Sequence, residues 1–66
     1  MEDIIKEIKK YRKMFRLNQS TLAMYAGVST KFISDLENNK KTIQLDKLIA
    51  VLNVFNLSLQ VVPSKK

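Results

Sequence analysis

Gly27 is the only glycine in this 66-residue chain, and it lies within AMYAGVSTKFISDLE, residues 23–37, with apolar residues on both sides. A helix that must stop and turn sharply usually ends in a left-handed residue, a conformation that glycine adopts without the steric cost other residues meet. Ser29 follows two residues later and is a favourable N-cap for a new helix. The stretch therefore predicts two helices joined by one tight corner at Gly27.

Helical periodicity and capping residues predict four short helices in all. Apolar residues recur at helical spacing near the start of the chain, which predicts an amphipathic first helix over roughly residues 2–15. Asn18 is a good N-cap for a second helix that begins at Gln19. The third helix follows Ser29. A fourth is predicted over roughly 44–55, and Asn56 is the next best residue for a left-handed stop.

The segment after the fourth helix has strand periodicity. Apolar and polar residues alternate in LSLQV, and Pro63 ends the pattern because it lacks a backbone donor. A lone strand leaves backbone groups unpaired, so we expect it to pair with its own copy in a twofold dimer that also covers a spare apolar face of the fourth helix. A frayed C-terminal tail is the alternative. The predicted dimer interface consists of Val51, Phe55, Leu57, Leu59 and Val61.

Length and composition limit the possible functions. One domain is expected, over residues 1–62 with the dimerising strand at 57–62, followed by a short basic tail at 63–66. The chain has neither cysteine nor histidine, which removes disulfides, the usual zinc sites and imidazole acid/base chemistry. We therefore expect no catalytic residues, no cofactor and no metal. A membrane-length apolar run and a secretory signal pattern are both lacking, so a cytoplasmic protein is expected.

The charge of the chain favours a polyanionic partner. Twelve Lys and Arg against six Asp and Glu give a formal net charge of +6, and the basic residues are clustered rather than dispersed. Nucleic acid and an acidic membrane surface both fit such a field. The first helix would be the membrane-binding element, but its apolar face lacks Trp and is needed to close the small core. Nucleic acid is therefore the preferred partner.

The two helices around Gly27 have the pattern of a helix-turn-helix. A small residue, Ala23, falls where the helices cross most closely, and we expect a bulky residue at Ala23 or at Gly27 to unfold the motif. In such a motif the second helix projects outward while the first braces it. The apolar positions that would face one another are Leu22, Ala26, Val28, Ile33 and Leu36.

Short polar side chains occupy the outward side of the third helix, which suits a DNA major groove. Lys31 is the strongest candidate, as a donor to guanine. Asp35 either accepts from cytosine or is a solvent-facing or internally paired acid, and both interpretations stay open. Phe32, also outward, is expected to be partly buried, under the basic end of the first helix or against the sugar wall. The predicted base-reading residues are Ser29, Thr30, Lys31, Ser34 and Asp35, and the predicted phosphate contacts are Gln19, Asn38, Lys40 and Lys41.

The stretch from LNQSTLA through GVS and FISDLEN to the fourth helix resembles the lambda/434 repressor-like (Cro/C1, XRE) helix-turn-helix class. Within that class the LSLQVV ending is most similar to the HipB-type antitoxins. The resemblance implies an all-α, four-helix DNA-binding domain with a C-terminal β-strand that pairs across a homodimer. It also implies an ion pair between Arg12 and Glu37, which removes Arg12 from the DNA contacts.

The same resemblance implies a sequence-specific repressor that binds double-stranded DNA at a palindromic operator, autoregulates its operon and binds a HipA-like serine/threonine kinase toxin. The chain ends at Lys66 without the longer C-terminal tail of some relatives, so a tail's role in toxin contact or turnover does not carry over. Two alternatives are a stand-alone XRE-type regulator with no toxin partner and a protein-interaction adaptor that keeps the fold without recognising DNA.

Overall fold

Four helices follow one another in the computed structural model, which describes residues 2–60, with side chains from Asp3 onward. They are α1 (Glu2–Met14), α2 (Gln19–Ala26), α3 (Thr30–Glu37) and α4 (Leu45–Val54). The predicted number and order of the helices are confirmed. The last residue of α1 lies one position before the predicted end, and α4 is one residue shorter than predicted at each end. Over the described residues the fold is all-helical.

The N-termini of α2 and α3 are capped by the side chains that the sequence predicted. The Asn18 Oδ1 accepts a hydrogen bond from the Thr21 amide at 2.8 Å, and the Ser29 Oγ accepts one from the Phe32 amide at 3.0 Å. Both caps satisfy amides that have no partner inside the helix. Gln44, at the same position before α4, makes no side-chain capping bond.

Each of the four helices ends in a left-handed residue: Arg16, Gly27, Asn39 and Asn56, with φ of 57°, 73°, 62° and 58°. In every case two amides fold back onto the last turn. After α2, for example, the Gly27 amide donates to the Met24 carbonyl at 3.3 Å and the Val28 amide donates to the Ala23 carbonyl at 3.0 Å. This is the Schellman arrangement, which satisfies carbonyls at a helix end. The predicted stops at Gly27 and Asn56 are confirmed.

Glycine is required at the corner by backbone conformation, and unfolding by a bulky residue at Gly27 stays a prediction. A Cβ placed on Gly27 would have nothing within 4 Å, so the requirement for glycine comes from its positive φ of 73° rather than from crowding. Ala23 is different, because its side chain is buried in the core. The corner therefore depends on backbone conformation at Gly27 and on side-chain volume at Ala23.

Apolar residues from all four helices share one core, with α2 packed against both α3 and α4, and α1 packed against α3. Of the predicted contact residues, Leu22, Ile33 and Leu36 are fully buried, and Ala26 and Val28 are partly buried against the core. The remaining buried apolar residues are Ile5, Ile8, Ala23, Leu48, Val51, Leu52 and Phe55.

Two of the predicted dimer-interface residues lie inside this core instead. Val51 is fully buried, and the Phe55 ring packs against Tyr11 and Phe15, with ring centroids 5.8 Å and 5.3 Å apart. Neither side chain is available to a second copy of the chain. The sequence pattern showed that α4 is apolar on several faces but not which face points inward. The large apolar residues that α4 exposes are Leu45 and Ile49.

The predicted strand is not present within residues 57–60. The Leu57 amide donates to the Leu52 carbonyl at 2.9 Å, and its side chain packs on the core, so this residue closes α4 rather than starting a strand. Leu59 is exposed. Val61, the rest of the predicted strand to residue 62, and the predicted tail at 63–66 lie outside the described residues.

Candidate nucleic-acid interface

The outward side of α3 begins at the corner after Gly27. Ile33 and Leu36 attach α3 to the core, and none of the predicted base-reading residues belongs to that core. Of the predicted base-reading residues, Ser29, Thr30 and Lys31 are exposed, whereas Ser34 and Asp35 are half-buried. All five lie in a single turn-and-helix segment. An exposed helix with short polar side chains is a shape that the major groove admits.

Lys31 and Asp35 are paired with each other. The Lys31 Nζ lies 3.1 Å from the Asp35 Oδ2, one helical turn away, and the Lys40 Nζ approaches the same oxygen at 3.5 Å. The hydrogen bond from Lys31, together with the charges of Lys31 and Lys40, lowers the pKa of the Asp35 carboxyl below its usual 3.8, although desolvation opposes this. Asp35 is therefore ionised at neutral pH, and the interpretation as an internally paired acid fits this arrangement.

An open cavity of about 340 Å³ lies beside this pair, between α3, the loop that follows it and the start of α4. Lys31 and Lys40 line it from two sides, and Lys47 of α4 lines it from a third. Three ammonium groups around one concave surface, with a single carboxylate among them, give a net positive field. This arrangement can attract phosphate oxygens.

The predicted phosphate contacts are distributed over more than one surface. Lys40 lines the cavity, and Lys41 follows it as an exposed residue. Asn38 is exposed, with its Nδ2 at 3.5 Å from the Ser34 Oγ. Gln19 is already engaged within the protein, because its Nε2 donates to Glu37 Oε1 at 3.2 Å. The structure thus brings Lys40 next to the base-reading residues and gives Gln19 an internal role.

Sequence reasoning missed Lys47 as part of this surface. Helical periodicity did not predict its place in this surface, because the contact between Lys47 and α3 depends on how α4 packs. Its Nζ lies 5.9 Å from the centroid of the Phe32 ring, within the range of a cation–π contact. The partial burial expected for Phe32 is confirmed, and Lys47 of α4 lies against its ring. One indication of this contact was present in the sequence: Phe32, a large aromatic residue on the outward side of α3, indicates that another element covers that side.

An ion pair beneath the interface joins α1 to α3. The Arg12 guanidinium donates to both oxygens of Glu37, at 2.6 Å and 2.9 Å, and to the Leu17 carbonyl at 2.9 Å. Gln19 of α2 also donates to this carboxylate, so Glu37 of α3 is hydrogen-bonded to both α1 and α2. The predicted pair of Arg12 and Glu37 is confirmed. Arg12 is accordingly committed to the protein interior, and its charge is neutralised there.

A model of the helix-turn-helix family matches residues 8–62, which is most of the chain. The chain belongs to the helix-turn-helix family. A relative in Sinorhizobium fredii (strain NBRC 101917 / NGR234), described as the uncharacterized HTH-type transcriptional regulator y4mF, is 39% identical over 59 residues, covering 89% of this chain and 78% of the relative. The predicted XRE-like class is thereby confirmed at the level of the family. The HipB-type subgroup is a finer assignment than either match makes.

Within this helix-turn-helix domain, α2 is the bracing helix and α3 is the projecting one. The family match spans both, together with α4 and most of α1. Among residues 2–60, none of the helices has the length and hydrophobicity that crossing a membrane requires. The charged surface of α3 and the following loop is the candidate functional site of this domain.

Proposed function

We propose that this protein is a DNA-binding transcription regulator that acts as a repressor, with α3 placed in the major groove of its operator. The observation that carries the proposal is the exposed face of α3, which joins Ser29, Thr30 and Lys31 to a cavity lined by three lysines. The similarity to a relative described as a transcriptional regulator agrees with it. Binding rather than catalysis is the role that we assign to the domain.

The roles of individual residues follow from base-edge chemistry. Lys31 donates to guanine oxygen and nitrogen acceptors, and Thr30 contacts a thymine methyl or an acceptor. Lys40 and Lys41, in the loop after α3, hold phosphates and orient the domain without reading sequence. Gln19 retains one free amide hydrogen for a phosphate while its other hydrogen bonds to Glu37.

We infer a twofold dimer on a palindromic operator. Leu45 and Ile49 are large apolar side chains that α4 exposes, and Leu59 is exposed in the segment after it. Burying such side chains against a second copy is favourable, and a twofold axis would place one α3 on each half-site, about one DNA turn apart. Pairing of the C-terminal segments, including Val61, remains part of this proposal.

The finer proposal is a HipB-like antitoxin that binds a HipA-like kinase toxin. It rests on the resemblance of the LSLQVV ending and on exposed apolar residues outside the α3 surface, which include Met24 and Tyr25. The same exposed residues favour the alternative, a protein-interaction adaptor that retains the fold without recognising DNA. A stand-alone regulator with no toxin is the third possibility, and it differs from the first only in its protein partner.

Selection of duplexes from a random DNA pool, followed by fluorescence anisotropy on a selected and a scrambled duplex, tests the regulator proposal. The selected duplex should bind more tightly, and its affinity should fall by orders of magnitude between about 50 and 200 mM salt. An adaptor would retain neither duplex at any salt concentration. Size-exclusion chromatography with a HipA-like kinase encoded beside the gene then separates an antitoxin from a stand-alone regulator, since only the former co-elutes.

A further inference from the structure

One carboxylate in the proposed DNA surface faces two of its lysines. The Asp35 Oδ2 lies 3.1 Å from the Lys31 Nζ and 3.5 Å from the Lys40 Nζ. Asp35 is more covered than either lysine: its side chain is 29% exposed, against 79% for Lys31 and 53% for Lys40. The acid therefore lies behind the two ammonium groups. Both lysine side chains remain largely exposed, but each ammonium group lies within 3.5 Å of the same carboxylate oxygen.

We propose that Asp35 restrains Lys31 and Lys40 in the free protein and thereby weakens binding to DNA of random sequence more than binding to the operator. The proposal rests on the regulator function above and specifies how that same surface discriminates between sequences. Asp35 acts here as a specificity-determining residue, whereas Lys31 and Lys40 make the contacts with DNA.

The physical argument concerns what happens to each charge on binding. A lysine that moves to a phosphate gains one ion pair and gives up another, so its net contribution to affinity is reduced. The Asp35 carboxylate is then left facing a polyanion with fewer cations beside it, which is unfavourable. An unpaired carboxylate of this kind lowers the affinity for every duplex by the same factor, unless the bases of a particular sequence supply a new partner for it.

A cytosine amino group in the major groove supplies that compensation. It can donate to a carboxylate, as Asp and Glu accept from cytosine N4 in direct readout. An operator with a cytosine opposite Asp35 would satisfy the acid as the two lysines leave it, whereas most random sequences would not. The two interpretations of Asp35, as an internally paired acid and as a base reader, thus describe successive states of one residue.

Replacement of Asp35 by Asn tests the proposal, because it removes the charge and keeps the size. Asp3→Asn is the matched control: Asp3 is exposed on α1, outside the cavity lining, and the substitution changes the net charge by the same amount. Binding to a random duplex and to the selected operator is measured by anisotropy across a salt series. Thermal melts by circular dichroism establish that both variants are folded.

For Asp35→Asn, the affinity for the random duplex should rise by about 3- to 10-fold, and the salt slope should steepen by about 0.9 for each lysine released. The affinity for the operator should stay constant or fall, so the ratio of operator affinity to random-duplex affinity decreases. Asp3→Asn should leave the ratio unchanged. The proposal is overturned if both Asn variants behave alike, or if Asp35→Asn weakens operator binding without strengthening random binding, which would make Asp35 a base reader alone.

A double-mutant cycle gives a second, independent readout. Lys40→Ala should reduce random-duplex affinity more in the Asp35→Asn background than in the wild type, because Lys40 is restrained only when the acid is present. Additive effects would contradict restraint. If the wild-type protein bound no duplex, the regulator function itself would fail. If the wild-type protein bound the operator with the salt dependence expected of a regulator, but the double-mutant cycle were additive, only the restraint by Asp35 would be contradicted.

Discussion

The Arg12 guanidinium and the Glu37 carboxylate form a two-point ion pair, with Nε to Oε2 at 2.6 Å and Nη2 to Oε1 at 2.9 Å. The side chains are 15% and 5% exposed, respectively. Planar matching of a guanidinium and a carboxylate is the strong form of this interaction. Because the two residues lie 25 positions apart, the pair constrains the end of α3, the helix that we propose enters the major groove, relative to α1.

Replacing Glu37 by Gln should destabilise the fold by about 3–5 kcal/mol, since it leaves the Arg12 charge partly buried without its partner. Gln19→Ala is the control, and it should cost about 1 kcal/mol because it removes one hydrogen bond. Urea denaturation followed by circular dichroism measures both. Equal stability of the two variants would show that the ion pair contributes no more than the hydrogen bond from Gln19 to Glu37.

Gly27→Ala should cost about 1–2 kcal/mol, the usual penalty of a left-handed backbone for a residue with a Cβ. The space around the Cβ is open, so the variant should fold. Gly27→Asn should cost less, because Asn visits this conformation more readily. Ala23→Leu, in the packed interior, should cost about 1–3 kcal/mol through overpacking instead. Unfolding of Gly27→Ala at room temperature would point to a crowded corner.

Lys31→Ala should weaken binding to the selected operator more than binding to a random duplex. The reason is that a lysine contact with a guanine edge exists only on the correct sequence, whereas a phosphate contact exists on every sequence. Lys41→Ala is the comparison, and it should reduce both affinities by a similar factor. The same anisotropy titrations measure both variants. An equal loss on both duplexes for Lys31→Ala would reassign Lys31 to the phosphate backbone.

Leu59→Pro should convert the proposed dimer into monomers, because proline removes a backbone donor from the segment that we expect to pair. Leu59→Ala keeps that donor and removes only apolar side-chain area, so it should weaken the dimer less. Sedimentation velocity at several protein concentrations distinguishes the two. Dimers that persist in the proline variant would place the interface elsewhere, with Leu45 and Ile49 of α4 the next positions to change to Glu.

The ion pairs of Asp35 should contribute to the free energy of unfolding at neutral pH and lose that contribution in acid. Because its folded pKa is lowered below 3.8, its ion pairs stabilise the folded state above that value, and the contribution is lost as pH falls through the lower folded pKa. The difference in unfolding free energy between wild type and Asp35→Asn should therefore shrink as pH drops below about 3.8. Urea titrations at a series of acidic pH values measure it. A difference that is constant with pH would argue against ionised pairing.

Local features of the chain were predictable from sequence because each depends on residues within one turn. The side chains of Asn18 and Ser29 each accept a hydrogen bond from the amide three residues later in the sequence. Gly27 ends α2 because its backbone adopts the left-handed conformation. Arg16 was not predictable as a left-handed residue, since arginine has no intrinsic preference for that conformation. The Arg12 pair with Glu37 was expected from family resemblance, not from spacing.

The sequence by itself therefore determined four helices, their caps, the corner at Gly27 and the excess of positive charge. Only the tertiary structure decided that Val51 and Phe55 lie inside the core, that Lys47 reaches Phe32, and that Lys31 and Lys40 converge on Asp35. The physical reason is the distance along the chain over which each interaction acts. Helix periodicity and capping act over three or four residues, whereas the inward face of α4 and the position of its lysine depend on how separate helices share one small core.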